Sequence, residues 1–298
     1  EKRQLICKSG LLELIEPGVA DVGGLKKLCD FVECNKDVFK KPGLAREYGV
    51  DMPAGVMLVG MPGCGKSLMA KSISKKLEVS LLRLDVGRLM GKYVGESENN
   101  LHRAVAVAEA VAPCVLWIDE IEKAFSGIGD GEGGGSVMTR MFGIFLTWMQ
   151  EKTAPVYVVA TANNIDMLPP EFLRRGRFDE LFFVDFPNEK ERFEILRTHV
   201  NRRIRETLSD DDLRKVAACF RDKDCYSGAD IESVVKDAMK SWFSQNMRDY
   251  GPYKKMWKAF DTGILMAAAK KSSSSYNSQK DKLDKMRERL KKLAKPAN

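Results

Sequence analysis

The stretch Gly60-Met-Pro-Gly63-Cys64-Gly65-Lys66-Ser67 narrows the folds open to this chain more than any other feature. It spells G-x-x-x-x-G-K-S directly after the apolar run 56–59 and directly before the helix-prone segment 68–77. Strand, glycine loop and helix in that order form the context in which this motif cradles phosphate. The glycines let the backbone curl until its N–H groups face one anion, and the helix N-terminus adds its dipole. Lys66 is then placed to reach β- and γ-phosphates, and the Ser67 hydroxyl to ligate Mg²⁺. The competing reading is a chance glycine turn in a buried hairpin, which needs neither flank.

Further short apolar, β-rich runs follow at 81–85, 115–119, 156–161 and 181–185. Helical patterns separate most of them. Such alternation predicts an α/β fold: a five-stranded parallel sheet with helices on both faces. Ligands in such sheets sit at the carboxyl ends of the strands. Gly60, Asp119 and the polar group Thr161, Asn163 and Asn164 stand at three of those ends.

Val115-Leu-Trp-Ile-Asp119-Glu120 is the second chemical constellation. Four apolar residues bury a strand, then two carboxylates emerge at its tip. Asp119 can hold Mg²⁺, usually through water, and Glu120 can polarise an attacking water as a base. Alternatively Asp119 simply caps a helix starting at Ile121. The Asn163 amide can orient a water or touch the γ-phosphate, or it can serve only turn chemistry. Arg174, Arg175 and Arg177 form a basic knot on a short helix. They read as a solvated face, a nucleic-acid contact, or arginine fingers offered to a neighbouring subunit's phosphates.

Composition bounds the classes. The 298 residues, 44% hydrophobic, suffice for a large core and two domains. No run of eighteen apolar residues exists, so no membrane span is expected. No signal peptide is expected either, and the chain, which starts without Met, reads as a piece of something longer. The seven cysteines form no Cys-x-x-Cys pair, and His102 and His199 are the only histidines, which argues against zinc. An odd, scattered set of thiols reads as reduced and cytoplasmic. Cys64, inside the glycine loop, is either an oxidation sensor or filler at a variable loop position. The net charge of +7 is concentrated at the C-terminus and says little about the core.

The expected organisation is a lead-in at 1–20, a large α/β domain at 21–187, a helical lid at 188–271, and a linker with a basic helix at 272–298. Pro187-Asn188 marks the point beyond which strand patterns stop. Residues 127–136 hold six glycines and read as a mobile loop. Leu283, Met286, Leu290 and Leu293 make an apolar stripe on the Lys/Arg-rich tail helix. That helix can contact nucleic acid or a membrane surface, or pack its stripe back on its own fold.

Asp21-Val-Gly23-Gly, GMPGCGKS, VLWIDE, ATANN and LRRGRFD, in this order and spacing, resemble the AAA family of ATPases (the AAA+ superfamily). The wording of the intervening segments is similar to the AAA proteins encoded in algal plastid genomes and their cyanobacterial and bacterial relatives. The resemblance spans about residues 20–270. It implies ATP or ADP bound with Mg²⁺ by Pro62, Gly63, Cys64, Gly65, Lys66, Ser67 and Leu68, with Ser67 and Asp119 at the metal. It also implies Glu120 as the base, Asn163 as the residue that positions water, and Arg174 and Arg177 as fingers toward the next subunit. Asp21 and Gly23 match residues that meet adenine, His199 a lid histidine near ribose and adenine, and Gly228 and Ala229 a lid segment beside the nucleotide.

Lys92, Tyr93 and Val94 match the pore loop that grips an extended polypeptide, and 127–136 resembles the second pore loop. Read without the family, Tyr93 is either a core aromatic or, between Gly91 and Gly95, a residue of an exposed loop. No second ATPase cassette, HExxH motif or receptor domain is visible. The implied function is a homo-oligomeric, hexameric, cytoplasmic (or, if plastid-encoded, stromal) Mg²⁺-dependent ATPase that remodels or threads a protein substrate. The rivals are an ATP-gated scaffold and, disfavoured by the lack of a nucleic-acid module, a nucleic-acid-stimulated motor.

Overall fold

A computed structural model describes residues 2–16, 24–90, 95–125, 134–174, 176–204, 208–221 and 225–298, with backbone alone at 2, 7, 8, 124, 125 and 134–139. The strands in chain order are β1 (Leu12–Ile15), β2 (Gly55–Gly60), β3 (Ser80–Leu84), β4 (Cys114–Ile118), β5 (Val156–Ala162), β6 (Glu180–Val184) and β7 (Lys295–Pro296). They make one sheet in the order β1-β3-β4-β5-β2-β6-β7. The central five are mutually parallel, as the apolar runs predict.

The strand count exceeds the expected five by two. β1 joins β3 antiparallel, and β7 joins β6 in parallel. Both are short edge strands recruited by the open hydrogen-bonding edges of β3 and β6. Neither is long enough to carry a readable alternation, and β1 lies in the stretch read as a lead-in.

The helices are α1 (Lys2–Ser9), α2 (Lys26–Lys40), α3 (Pro42–Glu47), α4 (Lys66–Leu77), α5 (Val86–Leu89), α6 (Glu96–Val111), α7 (Gly134–Glu151), α8 (Glu189–Arg203), α9 (Asp210–Ala217), α10 (Gly228–Tyr250), α11 (Thr262–Lys271) and α12 (Lys280–Leu293). Strand alternation splits the core into two layers. Met57, Val59, Leu116, Ile118, Val158 and Ala160 pack with Leu101 of α6 and Phe145 of α7. Val56, Leu58, Val115, Trp117, Tyr157 and Val159 pack with Leu28 of α2 and Ile73 of α4. Burial on both faces is why these strands read as unbroken apolar runs. Each large apolar side chain among them contributes about 1.5–3 kcal/mol of transfer energy, so the sheet's centre is a firmly packed platform.

α8 to α11 build a separate, all-helical cluster around Leu196, Val200, Leu213, Phe220, Ile231, Val235 and Leu265. α8 opens with a capping box of Asn188 and Glu191, and α10 with one of Ser227 and Asp230. Each box satisfies orphan N–H groups that would otherwise fray the first turn.

The basic tail helix packs on its own fold. Leu283 and Leu290 of α12 are buried in the first core layer with Met286 against it, whereas Leu293 stays exposed. Arg287 pairs with Asp185 at 2.7 Å, Lys291 with Asp185 at 3.7 Å, and Arg289 with Asp166. Surface ion pairs contribute about 0–1 kcal/mol each, so the apolar stripe holds the helix and the charges set its register. Among the described residues no helix is long and apolar enough to cross a membrane.

Candidate functional site

A cleft of about 310 Å³ opens at the carboxyl ends of β2, β4 and β5, beneath α8 and α10. It is lined by Pro62, Gly63, Cys64, Gly65, Lys66, Ser67, Leu68, Asp119, Glu120, Asn163, His199, Gly228 and Ala229. The fold thus gathers every expected nucleotide-site residue among those described, apart from the two arginines.

The glycine loop turns through left-handed backbone. Gly65, with φ +86°, caps α4, a conformation that a side chain would strain. At Gly63, with φ +72°, an added Cβ would lie 2.9 Å from Ser227 Oγ. The lid approaches at that point, and Ala229 N donates to Gly63 O at 3.1 Å. The Lys66 ammonium donates to Gly60 O at 2.9 Å and Met61 O at 2.7 Å. Burial pushes its pKa down to about 8, against the pull of Cys64 and of the Glu122, Asp119 and Glu120 carboxylates. Cys64 keeps some exposure, yet burial pushes its thiol up to about 12. A thiol so placed stays protonated at neutral pH and is a poor redox sensor, which favours the filler reading.

The carboxylates form a closed network. Ser67 Oγ donates to Asp119 Oδ1 at 2.9 Å, and Thr161 Oγ1 donates to the same oxygen at 2.7 Å. Glu120 N donates to Thr161 Oγ1 at 2.9 Å, and Asp119, accepting from two hydroxyls, does not act merely as a helix cap. Glu120 holds a left-handed backbone at φ +49°, the kind of local strain that persists where neighbours enforce it. Asn163 Nδ2 donates to Glu120 Oε1 at 2.9 Å, and Lys123 pairs with Glu120 Oε2. Asn163 N donates to Glu122 Oε1 at 2.8 Å.

On the lid side, burial lowers the pKa of His199, so its ring is neutral at pH 7 and offers one donor and one acceptor. Its Nδ1 has no hydrogen-bond partner among the described residues. Ile195 and Glu232 share that wall.

The arginines lie elsewhere. Arg174 is exposed and lines a different cavity with Glu180, Lys292 and Lys295. Arg177 donates to Leu146 O at 3.0 Å and to Gln150 Oε1, both at the end of α7. Asp179 anchors their loop: its two carboxylate oxygens accept from Ala54 N and Gly55 N at 3.0 Å each. Asp21, Gly23, Lys92, Tyr93 and Val94, and all but the end of the 127–136 segment, lie outside the described residues. Gly24, just after the first two, donates from its N–H to Glu194 of α8 at 3.0 Å, on the helix that carries His199.

Sequence reasoning passed over Thr161 as a ligand of Asp119, and also Glu122, Ile195 and Glu232. Ile195 was within reach, because it stands one helical turn before His199 and so shares its face. In the sequence Thr161 stands out only as a polar residue at the end of its strand, and its bond to Asp119, like that of Glu122 to Asn163, joins segments far apart in the chain.

The sequence matches the family model described as ATPase family associated with various cellular activities (AAA) over residues 56–186. It is similar to the AAA domain-containing protein ycf46 of Guillardia theta, 45% identical over 248 residues, 83% of this chain and 48% of that protein. It is also similar to the proteasome-activating nucleotidase of Pyrococcus abyssi (strain GE5 / Orsay), 36% identical over 233 residues, 76% of this chain and 57% of that protein. The chain spans about half the length of the curated relatives it matches. Among solved structures, the crystal structure of the FIGL-1 AAA domain matches with a TM-score of 0.77 at 22% identity, covering 98% of this chain and 95% of that one. The same domain in complex with ADP matches with a TM-score of 0.74 at 23% identity, covering 98% and 97%.

Proposed function

The chain belongs to the AAA family of ATPases through residues 56–186, and from that premise we propose that it hydrolyses ATP in this cleft as a ring of copies that remodels a protein substrate. The observation that carries the reading is the network joining Ser67, Asp119, Thr161, Glu120 and Asn163. The loop 60–67 cradles the phosphates through its N–H groups, and Lys66 turns from the Gly60 and Met61 carbonyls to the β- and γ-phosphates. His199, Gly228 and Ala229 close over the nucleoside from the lid, and Asp21 and Gly23 meet the adenine.

The oxygen-only set of Ser67 and Asp119, already within hydrogen-bond reach of each other, fits Mg²⁺. When bound there, Mg²⁺ neutralises charge on the β- and γ-oxygens. Glu120 accepts the proton of the attacking water, and Asn163 holds the carboxylate that does so. Because Arg174 and Arg177 stand away from their own cleft, they serve the cleft of the next copy as fingers. Hydrolysis therefore requires assembly, six copies being the expected number.

Lys92, Tyr93 and Val94 grip the polypeptide in the pore. The proposed units are a large domain at 21–187, a lid at 188–271 and a tail at 272–298, with β1, α12 and β7 packed onto the large domain. Arg287, Arg289 and Lys291 of the tail helix pair with Asp185 and Asp166, so part of its basic charge is turned to its own fold, which speaks against a nucleic-acid motor. The algal relatives support a stromal or cytosolic location.

The test is Glu120→Gln: turnover should fall about a hundredfold or more while ATP stays bound. Normal turnover in that variant would overturn the base assignment.

A further inference from the structure

Asn163 follows the last residue of β5, so its backbone N–H lies beyond the strand ladder. That N–H donates to Glu122 Oε1 at 2.8 Å. Glu122 sits in the 3₁₀ turn Ile121–Phe125, which begins directly after Glu120, and is 5% exposed. Its Oε2 has no hydrogen-bond partner among the described residues. Withdrawing a carboxylate from water for one backbone hydrogen bond opposes folding, and buried polar groups left partly unsatisfied call for a role that keeps them.

Asn163 is held twice, by the turn and by the residue just before it. Glu122 takes its main chain at 2.8 Å, and Glu120 takes its side chain at 2.9 Å. Ile121, fully buried between the two glutamates, fixes the turn to the core, and Lys123 N closes it onto Glu120 O at 2.9 Å. Of the three carboxylates facing the Lys66 ammonium, Glu122 acts on it most strongly, so it stands within the field of the cleft and not behind it.

We propose that Glu122 is a positioning residue for ATP hydrolysis, its buried carboxylate fixing the Asn163 backbone so that the Asn163 amide stays on Glu120. This inference rests on the ATPase reading of the cleft. Release of the Asn163 main chain lets the amide and the base drift, and a displacement near 1 Å is enough to lower a rate by about a hundredfold.

The experiment uses the full chain and compares ATP turnover, ADP affinity and thermal midpoint. Glu122→Ala should lower kcat about tenfold or more, with KM for ATP and ADP affinity moving by less than about threefold. Glu122→Gln keeps an acceptor oxygen and should hold kcat within about threefold of the parent. Glu122→Ala placed on Asn163→Ala should add little further loss, because both act through one contact.

The inference is overturned if Glu122→Ala keeps the parent kcat, if kcat and ADP affinity fall together, or if Glu122→Gln is as impaired as Glu122→Ala. Should the alanine chain fail to fold, Glu122→Met fills the same space without an acceptor and is judged by the same criteria. A parent chain that assembles yet never turns over ATP overturns the ATPase reading and this inference with it. A turning-over parent with an insensitive Glu122 overturns only the inference.

Discussion

The cleft and the arginine loop lie in the same chain but differ in how fully they are satisfied. In the cleft, Ser67, Asp119, Thr161, Glu120, Asn163 and Glu122 bind one another in a continuous network. In the loop, Arg174 is exposed, and Arg177 is held by the carbonyl oxygen of Leu146 and the amide oxygen of Gln150 in α7. Loop placement is nonetheless firm, because Asp179 grips the start of β2. Among the described residues neither Arg174 nor Arg177 has a carboxylate partner, which fits the proposal that they offer charge to another copy. The cleft supplies acids, a cradle and the Lys66 ammonium, and on the proposed reading the arginines of a neighbouring copy add to the charge that offsets a transferred phosphoryl group. On that reading, the chemistry of one site is divided between copies.

The largest expected effect breaks the division directly. Arg177→Ala should lower turnover about a thousandfold or more while leaving ATP affinity nearly unchanged, measured by steady-state hydrolysis and equilibrium binding. Next comes the cleft side. Glu120→Gln should lower turnover about a hundredfold or more and trap ATP, which radiolabelled nucleotide retention would register.

A smaller effect concerns the anchor of the loop. Lys152, beside Asp179, is partly buried with its ammonium donating to Pro53 O at 3.2 Å, and desolvation pushes its pKa from 10.5 down to about 8. Between those values the unfolded chain binds a proton that the folded chain does not, so this residue makes stability rise with pH across that window. Lys152→Met removes the dependence. Thermal midpoints of the two chains should therefore shift in favour of the parent as pH climbs from about 8 to about 10.5. A constant difference would show that the lysine is not desolvated.

The smallest effect is expected at Gln150. Gln150→Ala loosens Arg177 from α7 and should change turnover by less than about threefold, in either direction, since the carbonyl of Leu146 remains. A larger loss would make α7 part of the finger's mechanism.

Much of this was legible in the chain itself. Strands buried on both faces announce themselves as apolar runs, so β2 to β6 were readable, and G-x-x-x-x-G-K-S fixed the cleft's position between β2 and α4. The lid residues His199, Gly228 and Ala229 followed from family resemblance, and the fold brings them to the same cleft. β1 and β7 were not readable, because strands of four and two residues carry too little pattern and are defined by their partners. The grip of Glu122 on Asn163 joins positions 41 residues apart, and the contact of Asp179 with β2 joins positions 125 and 124 apart. Such contacts depend on which strands lie side by side, a property of the whole sheet that no local spacing encodes. The docking of α12 was one of several outcomes its stripe allowed, and it was decided by an apolar surface supplied by distant elements.

The division of one site between copies is tested most directly by ATP turnover per chain measured against protein concentration, with the assembly state recorded at each point. The account predicts that specific activity is near zero where the chain is monomeric and climbs as rings form. Undiminished specific activity in a demonstrated monomer would contradict it.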